Sequence, residues 1–401
     1  MSTYGSLLRT PGVARIIAAQ LTARFPFGML SLAYLIHIET IHHSYGAAGL
    51  VLAATSIGQA ISGPLTSRWM GVWGMRRVLT LTMVVCAISI GAIAFLVLPV
   101  AAYMAIGFVG GLATPPIQPA VRTIYPKMVN SRQLTRLFSL DASAQEIIWV
   151  AGPVITTVVA VQVSSTLAIV IAGLFLVIGG TWFILSPEVG RVRIPRSKRR
   201  LGVVLAKPAV LLSTITGLLL VAACAATEAA VVATFGEGGS EAGIILAIFA
   251  IGSLAGGLSL GHLPIGPWAM ARRMFAVFVG MSLALFSLNF WWLALALLVA
   301  GIGIAPALAV MFAIVSGTVK FSETAEAYGW VGTGQLIGAA LGSAAAGFLI
   351  DSRGPSGGFW VAAVVAFFGF LIPLVLKRWH PDLRGREASL PDTAPVPIQP
   401  T

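Results

Sequence analysis

Met274–Val319 reads MFAVFVGMSLALFSLNFWWLALALLVAGIGIAPALAVMFAIVSGTV, with Arg272-Arg273 before it and Lys320 after it. No Asp, Glu, Lys or Arg interrupts the run. One bilayer crossing needs about 20 apolar residues, and this run is roughly twice that long, so it holds two crossings. Asn289, near the middle, supplies the turn between them. The chain therefore leaves one basic cluster, turns back and meets the next on the side it left. Val78–Val121 and Ile147–Pro187 repeat the arrangement, with turns at Pro99 and at Ser164-Ser165. Basic residues gathered on one side of apolar crossings mark the cytoplasmic face.

Extended to both ends, this reading gives an all-α membrane protein of twelve transmembrane helices in two pseudo-symmetric six-helix bundles. The helices are expected at about 14–36, 46–66, 77–97, 100–121, 138–161, 165–185, 208–233, 242–263, 272–288, 291–317, 324–349 and 357–377. Both termini then lie in the cytoplasm, in a multi-pass protein of the cell (inner) membrane. Of the 25 Lys and Arg residues, all but Arg24 and Arg353 fall on the cytoplasmic side. The composition agrees: 58% hydrophobic and 9% charged, with a mean hydropathy of +0.94, whereas a soluble domain carries about 25% charged residues. The net charge of +12 sits in short clusters beside the crossings. That distribution implies contact with anionic lipid rather than nucleic acid. Cys86 and Cys224 lie inside apolar runs and show no metal or disulfide spacing. No cofactor or metal is expected, and the expected unit is a monomer embedded in the bilayer. The first apolar run lacks a cleavage site and stays as the first helix.

The organisation follows from charge. Residues 1–185 form a first bundle, 186–207 a basic cytoplasmic linker, 208–378 a second bundle, and 379–401 a Pro-rich tail expected to be disordered. The halves echo one another at a nearly constant offset. Gly58 and Gly63 match Gly252 and Gly257, Arg76-Arg77 match Arg272-Arg273, and Gln145 and Gly152 match Gln335 and Gly342. A duplicated six-helix unit is a recurring architecture of secondary transporters.

Over roughly residues 10 to 380 this plan resembles the major facilitator superfamily, nearest to its proton-coupled drug and metabolite exporters. The family signature between helices 2 and 3, G-x-L-A-D-R-x-G-R-R, is degraded here. Gly74 and Arg76 fit it by spacing, while Gly71 and Val72 stand where the family has Asp and Arg. The resemblance gives that Asp a part in the cytoplasmic latch, so this chain must latch otherwise or less firmly. A second signature, associated with proton-coupled exporters, ends in Gly152-Pro153, but Thr156-Thr157 replace the glycine pair after it. Pro115, Pro116, Pro119, Pro153 and Pro306 each remove a backbone donor from a helix, giving fixed kinks or moving hinges.

A charge within a membrane helix costs about 2.5–3.5 kcal/mol on insertion scales and marks a functional candidate. Arg24 and Glu146 lie at similar depth in helices 1 and 5, which are neighbours in the family fold, and are expected to pair. Glu228 in helix 7 has Ala, Thr and Ala neighbours and no cation nearby in sequence. It suits proton coupling or recognition of a cation. Asp141, one turn into helix 5, is expected to meet Arg122 or Arg136 at the inner surface, with a lesser part in coupling. Glu39, His42 and His43 are expected to be solvated at an outer turn.

The resemblance puts Phe25, Phe27, Tyr34, Trp149, Trp330, Gln145 and Gln335 on helices that line the cavity. An apolar, aromatic-walled cavity with one or two acids suits hydrophobic, neutral or cationic organic molecules. The expected activity is their proton-coupled export by alternating access. The alternative is a narrow carrier of a metabolite such as a sugar or amino acid. No G-x-x-x-x-G-K-[ST] loop for an ATP-driven pump is present.

Overall fold

The computed structural model describes residues 5, 7–197, 199–235, 240–261 and 263–384. Among them, twelve helices carry the fold: α1 Val13–His42, α2 Tyr45–Trp73, α3 Met75–Phe95, α4 Val100–Met128, α5 Ser131–Gln162, α6 Ser165–Leu185, α7 Pro208–Phe235, α8 Ser240–Leu260, α9 Ala269–Leu283, α10 Phe290–Thr318, α11 Phe321–Arg353 and α12 Pro355–Val375. Eleven of these are long and apolar enough to cross a membrane. The twelfth, α9, is 15 residues long, which is about 22 Å at the usual helical rise and short of a typical hydrocarbon core. Its helix ends before the expected boundary, because Ala284–Phe286 turn off towards Asn289.

Local sequence explains the breaks and caps. α1 bends at Phe25, where Pro26 cannot donate to the preceding turn. α4 unwinds between Leu112 and Ile117, across Pro115 and Pro116. α5 and α10 continue through Pro153 and Pro306. Ser44, Asn130, Ser164 and Asn289 cap the starts of α2, α5, α6 and α10 through their side-chain oxygens.

One end of the molecule carries the basic clusters and forms its basic side. On that side the first half (α1–α6) and the second half (α7–α12) are closed upon one another. Arg68 of α2 pairs with Glu326 of α11 at 3.1 Å. Thr333 of α11 donates to the Ala60 carbonyl of α2 at 2.7 Å, and Ser139 of α5 donates to the Gly257 carbonyl of α8 at 2.5 Å. Gly63 and Gly329 meet where α2 crosses α11. A Cβ on Gly329 would stand 2.5 Å from the Gly63 carbonyl oxygen, so any side chain there would part the backbones. Among the described residues, every hydrogen bond and ion pair between the halves lies between this face and the middle of the bundle. The deepest joins Ser253 of α8 to Glu146 of α5. Beyond it the facing surfaces of α2, α5 and α11 are open, with Trp149, Leu336 and Leu341 exposed.

The linker is built onto the basic face rather than hanging from it. Ile194 and Val204 are buried, and the linker backbone at Pro195 covers Gly71. The tail differs from expectation in the same way. Residues 379–384 pack beneath the second half, with His380 buried and Leu383 donating to the Ile265 carbonyl at 3.0 Å. The rest of the segment expected to be disordered lies outside the described residues.

Candidate functional site

A cavity lies within the first half, its lining drawn from α1–α6 apart from one residue of α11. Its wall on the first half includes Phe27 and Tyr34 of α1, Gln59 of α2, Thr114 of α4 and Trp149 of α5, with Leu336 of α11 completing it. Most of this lining is apolar, as the membrane location of these helices dictates. Three residues expected there, Phe27, Tyr34 and Trp149, line it. Phe25 does not. Its ring stacks on Phe175 of α6 at 4.8 Å and lines a separate apolar groove between α1, α5 and α6. The bend at Pro26 turns it away from its neighbour Phe27. Trp330 is not part of the wall either, since it lies against Gly202 of the linker, nearer the basic face. Gln335 packs beside Gly217 of α7, inside the second half.

Two carboxylates in the spanning helices, Glu146 and Glu228, are not part of this lining, although Glu228 was expected in it. Glu146 accepts a hydrogen bond from Ser253 Oγ at 2.8 Å. Ser253 Oγ in turn accepts from the Ala305 N–H at 3.2 Å, next to Pro306, so its own proton is directed at Glu146. Glu228 of α7 is exposed and lies within electrostatic reach of Glu146. Cys224 lies one helical turn before Glu228.

The expected Arg24–Glu146 pair is not formed. Arg24 instead donates to Gln20 at 2.8 Å and Gln145 at 2.5 Å, and lies 3.6 Å from Asp141. The reason is azimuth. Asp141 and Gln145 are four apart and share one face of α5, whereas Glu146 is turned about 100° from Gln145, towards α8. Depth along the helix alone could not separate them.

Asp141 does meet Arg122, at 3.2 Å, but in the interior rather than at a surface: Asp141 is 0% and Arg122 2% exposed. Asp141 also accepts from Gln20 at 3.0 Å and from Tyr125 at 3.1 Å. With its amide oxygen turned to the guanidinium groups, Gln118 accepts from Arg122 at 2.6 and 2.8 Å and from Arg24 at 3.1 Å. The Arg122 guanidinium lies 3.3 Å from the ring centre of Phe312 on α10, across the seam. Tyr125, Phe138, Phe312 and Tyr328 form an aromatic layer around it.

The gating residues read from the signatures divide as follows. Gly74 takes φ +89° in the α2–α3 turn. Arg76 donates to the carbonyls of Ile184 at 3.1 Å and Ser186 at 3.3 Å, closing the end of α6, while Arg77 is exposed. Gly152 lies against the backbone of Gly28, holding α5 close to α1. With Gly71 in place of the family's Asp, the latch comes from α11. Glu326 takes Arg68 and the Gly202 N–H at 2.8 Å, and Glu323 takes Lys207 at 2.7 Å and Arg199 at 3.3 Å. Sequence reasoning missed Glu323, Glu326 and Ser253. Two acids one turn apart at the basic end of α11, opposite the vacated Asp position, were the available signal for the first two.

At the opposite side, His42 is not simply solvated. Its Nε2 faces the Leu98 carbonyl at 3.0 Å and its ring meets Tyr103 edge-on. His37 is buried between Ser165 and the Ile93 carbonyl, both at 3.0 Å. No cluster of metal-binding side chains occurs among the described residues.

Solved structures with this arrangement are membrane carriers. The human organic anion transporter MFSD10 (TETRAN) superposes with a TM-score of 0.70 at 16% identity, over 90% of this chain and 98% of its own. A bacterial homologue of the iron transporter ferroportin, in an outward-facing state, gives 0.74 at 12% identity over 92% and 98%. The proton:xylose symporter XylE bound to 6-bromo-6-deoxy-D-glucose gives 0.68 at 14% identity over 92% and 96%. No curated protein matches the chain by sequence. The sequence profile of the Major Facilitator Superfamily matches residues 16–287 and 227–400, nearly the whole chain. With the two six-helix halves and the one-sided seam, that match makes this protein a member of the Major Facilitator Superfamily.

Proposed function

We propose that the chain exports small hydrophobic or cationic organic molecules in exchange for protons, with the basic side in the cytoplasm. The observations that carry this reading are an apolar, aromatic cavity with no cation among its lining residues, and two acids, Glu146 and Glu228, within the spanning helices but outside that lining. Arg24 and Arg122 are both sealed beneath the cavity by their own partners. A cation or a proton is the species such a surface attracts, and aromatic faces favour organic cations further. The cargoes in the names of the three similar structures are an organic anion, iron and a sugar, so the shared fold does not select one.

As a family member the chain is a transporter, not an enzyme, and moves small molecules across a membrane. With the basic side cytoplasmic, the open side of the seam faces outward. Protonation of Glu228 from outside, and then of Glu146, removes charge from the seam. The halves rock, the basic side opens and cargo loads from within. The positive-inside distribution supports this orientation.

The test uses a host stripped of its own exporters, expressing the chain, and a panel of toxic hydrophobic compounds, neutral and cationic. Raised tolerance to several unrelated compounds, with cargo-dependent proton flux in vesicles, is the expected result. Unchanged tolerance throughout, with uptake of a single sugar or amino acid instead, replaces this reading by a narrow metabolite carrier.

A further inference from the structure

The polar cluster beneath the cavity contains one charge more than it balances. Arg24 and Arg122 bring two guanidinium groups, and Asp141 is the one carboxylate paired with either among the described residues. Arg24 is 4% exposed, Arg122 2% and Asp141 0%. Asp141 already accepts from Gln20, Tyr125 and Arg122, three of its about four lone-pair sites, and Arg24 stands off at 3.6 Å. A buried charge is normally retained with a full complement of opposite charge, because desolvation is otherwise uncompensated.

Over the Arg122 guanidinium, which shares Asp141 with Arg24, stands the Phe312 ring. An aromatic face supplies only part of what an anion would. Phe312 belongs to the second half, and Tyr328, whose hydroxyl donates to the Phe312 carbonyl at 2.9 Å, holds it there. Arg122 belongs to the first half. When the basic-side seam opens, as alternating access requires, the ring leaves with its own half. The guanidinium face is then bared to the basic-side vestibule, still oriented by Gln118 and Asp141.

We infer that Arg122, positioned by Asp141 and Gln118, is an anion site that is shut in this conformation and takes a carboxylate or another small monovalent anion when the basic side opens. Phe312 is the internal occupant that replaces the anion when the seam closes. The planar fork of Arg122 suits a carboxylate better than a spherical ion, though both share the chemistry. The inference goes beyond the cargo and direction proposed above and depends on neither. A cargo carrying both a cationic and an acidic group would use the two acids and this site in turn.

The test is equilibrium binding of radiolabelled benzoate to full-length protein in detergent and chloride-free buffer. Chloride and methyl benzoate serve as competitors. Gly329→Leu props open the α2–α11 crossing and should bind benzoate where the unmodified protein, seam closed, binds it weakly. Arg122→Gln in that background should weaken binding by on the order of ten- to a hundred-fold, the worth of a charge-assisted hydrogen bond. Methyl benzoate should not compete. Displacement by chloride assigns the site to free small anions; benzoate retained against chloride assigns it to a cargo carboxylate. Phe312→Ala, which uncovers Arg122 directly, should also bind benzoate and replaces Gly329→Leu if that variant does not fold. Equal binding with and without Arg122, equal competition by methyl benzoate, or no benzoate binding to a folded opened variant overturns the inference. None of these readouts involves transport, so failure here leaves the export reading standing, and the reverse.

Discussion

Glu146 of α5 and Ser253 of α8 form the deepest hydrogen bond between the two halves among the described residues, at 2.8 Å. Because the Ala305 N–H occupies the acceptor side of the Ser253 hydroxyl, the serine proton is committed to the carboxylate. The contact therefore joins a titratable group of one half to α8 and the Pro306 break of the other. Glu146→Gln keeps an acceptor for Ser253 but exchanges no proton. It is expected to fold, to close the seam and to lose proton-driven transport while still catalysing exchange of cargo for cargo. Glu228→Gln should behave alike. Both are measured by cargo flux in proteoliposomes with and without a pH gradient. Normal gradient-driven flux in either variant removes that residue from coupling.

Asp141 holds two guanidinium groups in the interior. Removing one partner of a buried ion pair costs about 3–5 kcal/mol, because the remaining charge is left uncompensated. Asp141→Ala should accordingly destabilise the protein more than alanine at Glu146 or Glu228 does. Glu228→Ala, which strands no described cation partner, should leave stability little changed. Thermal denaturation in detergent checks the contrast. Equal stability of the Asp141 and Glu228 variants contradicts the role given to Asp141.

The fold was legible because it rests on properties that survive projection onto one dimension. The apolar runs flanked by Arg77 and Arg122, or by Arg273 and Lys320, state the crossings and the shared basic face directly. Residue depth was legible too, since Arg24 and Glu146 do lie at similar levels. Azimuth was not. Whether Glu146 or Gln145 faces α1 depends on rotation of α5 about its axis, and α5 is not cleanly apolar on one face. The same gap explains Phe25 and Trp330, which sit on cavity-lining helices but point to α6 and to the linker. Glu323 and Glu326 were hidden differently. Their partners Arg68, Arg199 and Lys207 come from distant segments that meet only once the halves close.

The latch made by those two acids should set the balance between closed and open seams. Glu326 and Glu323 are buried, while Arg68, Lys207 and Arg199 are partly exposed, so solvent screening keeps the pairs modest. Glu323→Gln with Glu326→Gln should weaken closure by about 1–2 kcal/mol, a five- to thirty-fold shift towards opening. A reporter substitution, Ser143→Cys beside Gly257 in the α5–α8 seam, should then react faster with a membrane-impermeant thiol reagent from the basic side. Both native cysteines are replaced for this measurement. Unchanged labelling means that the seam is held by its close-packed glycines and aromatics instead.

The docked tail should respond to pH through His380. Burial holds its imidazole below the ordinary histidine range, against the raising effect of its hydrogen bond to the Pro381 carbonyl. The docked form thus binds its proton less readily than the released form does. Docking is complete above the ordinary value of about 6.5 and weakens as pH falls below it, since protonation then favours release. Limited proteolysis after Lys377 or Arg378 should therefore be faster at pH 5.5 than at pH 7.5, taking these as about one unit either side of that value. His380→Phe fills the same apolar site without a proton to gain, and should abolish the difference. A pH effect that persists in His380→Phe assigns it to another group.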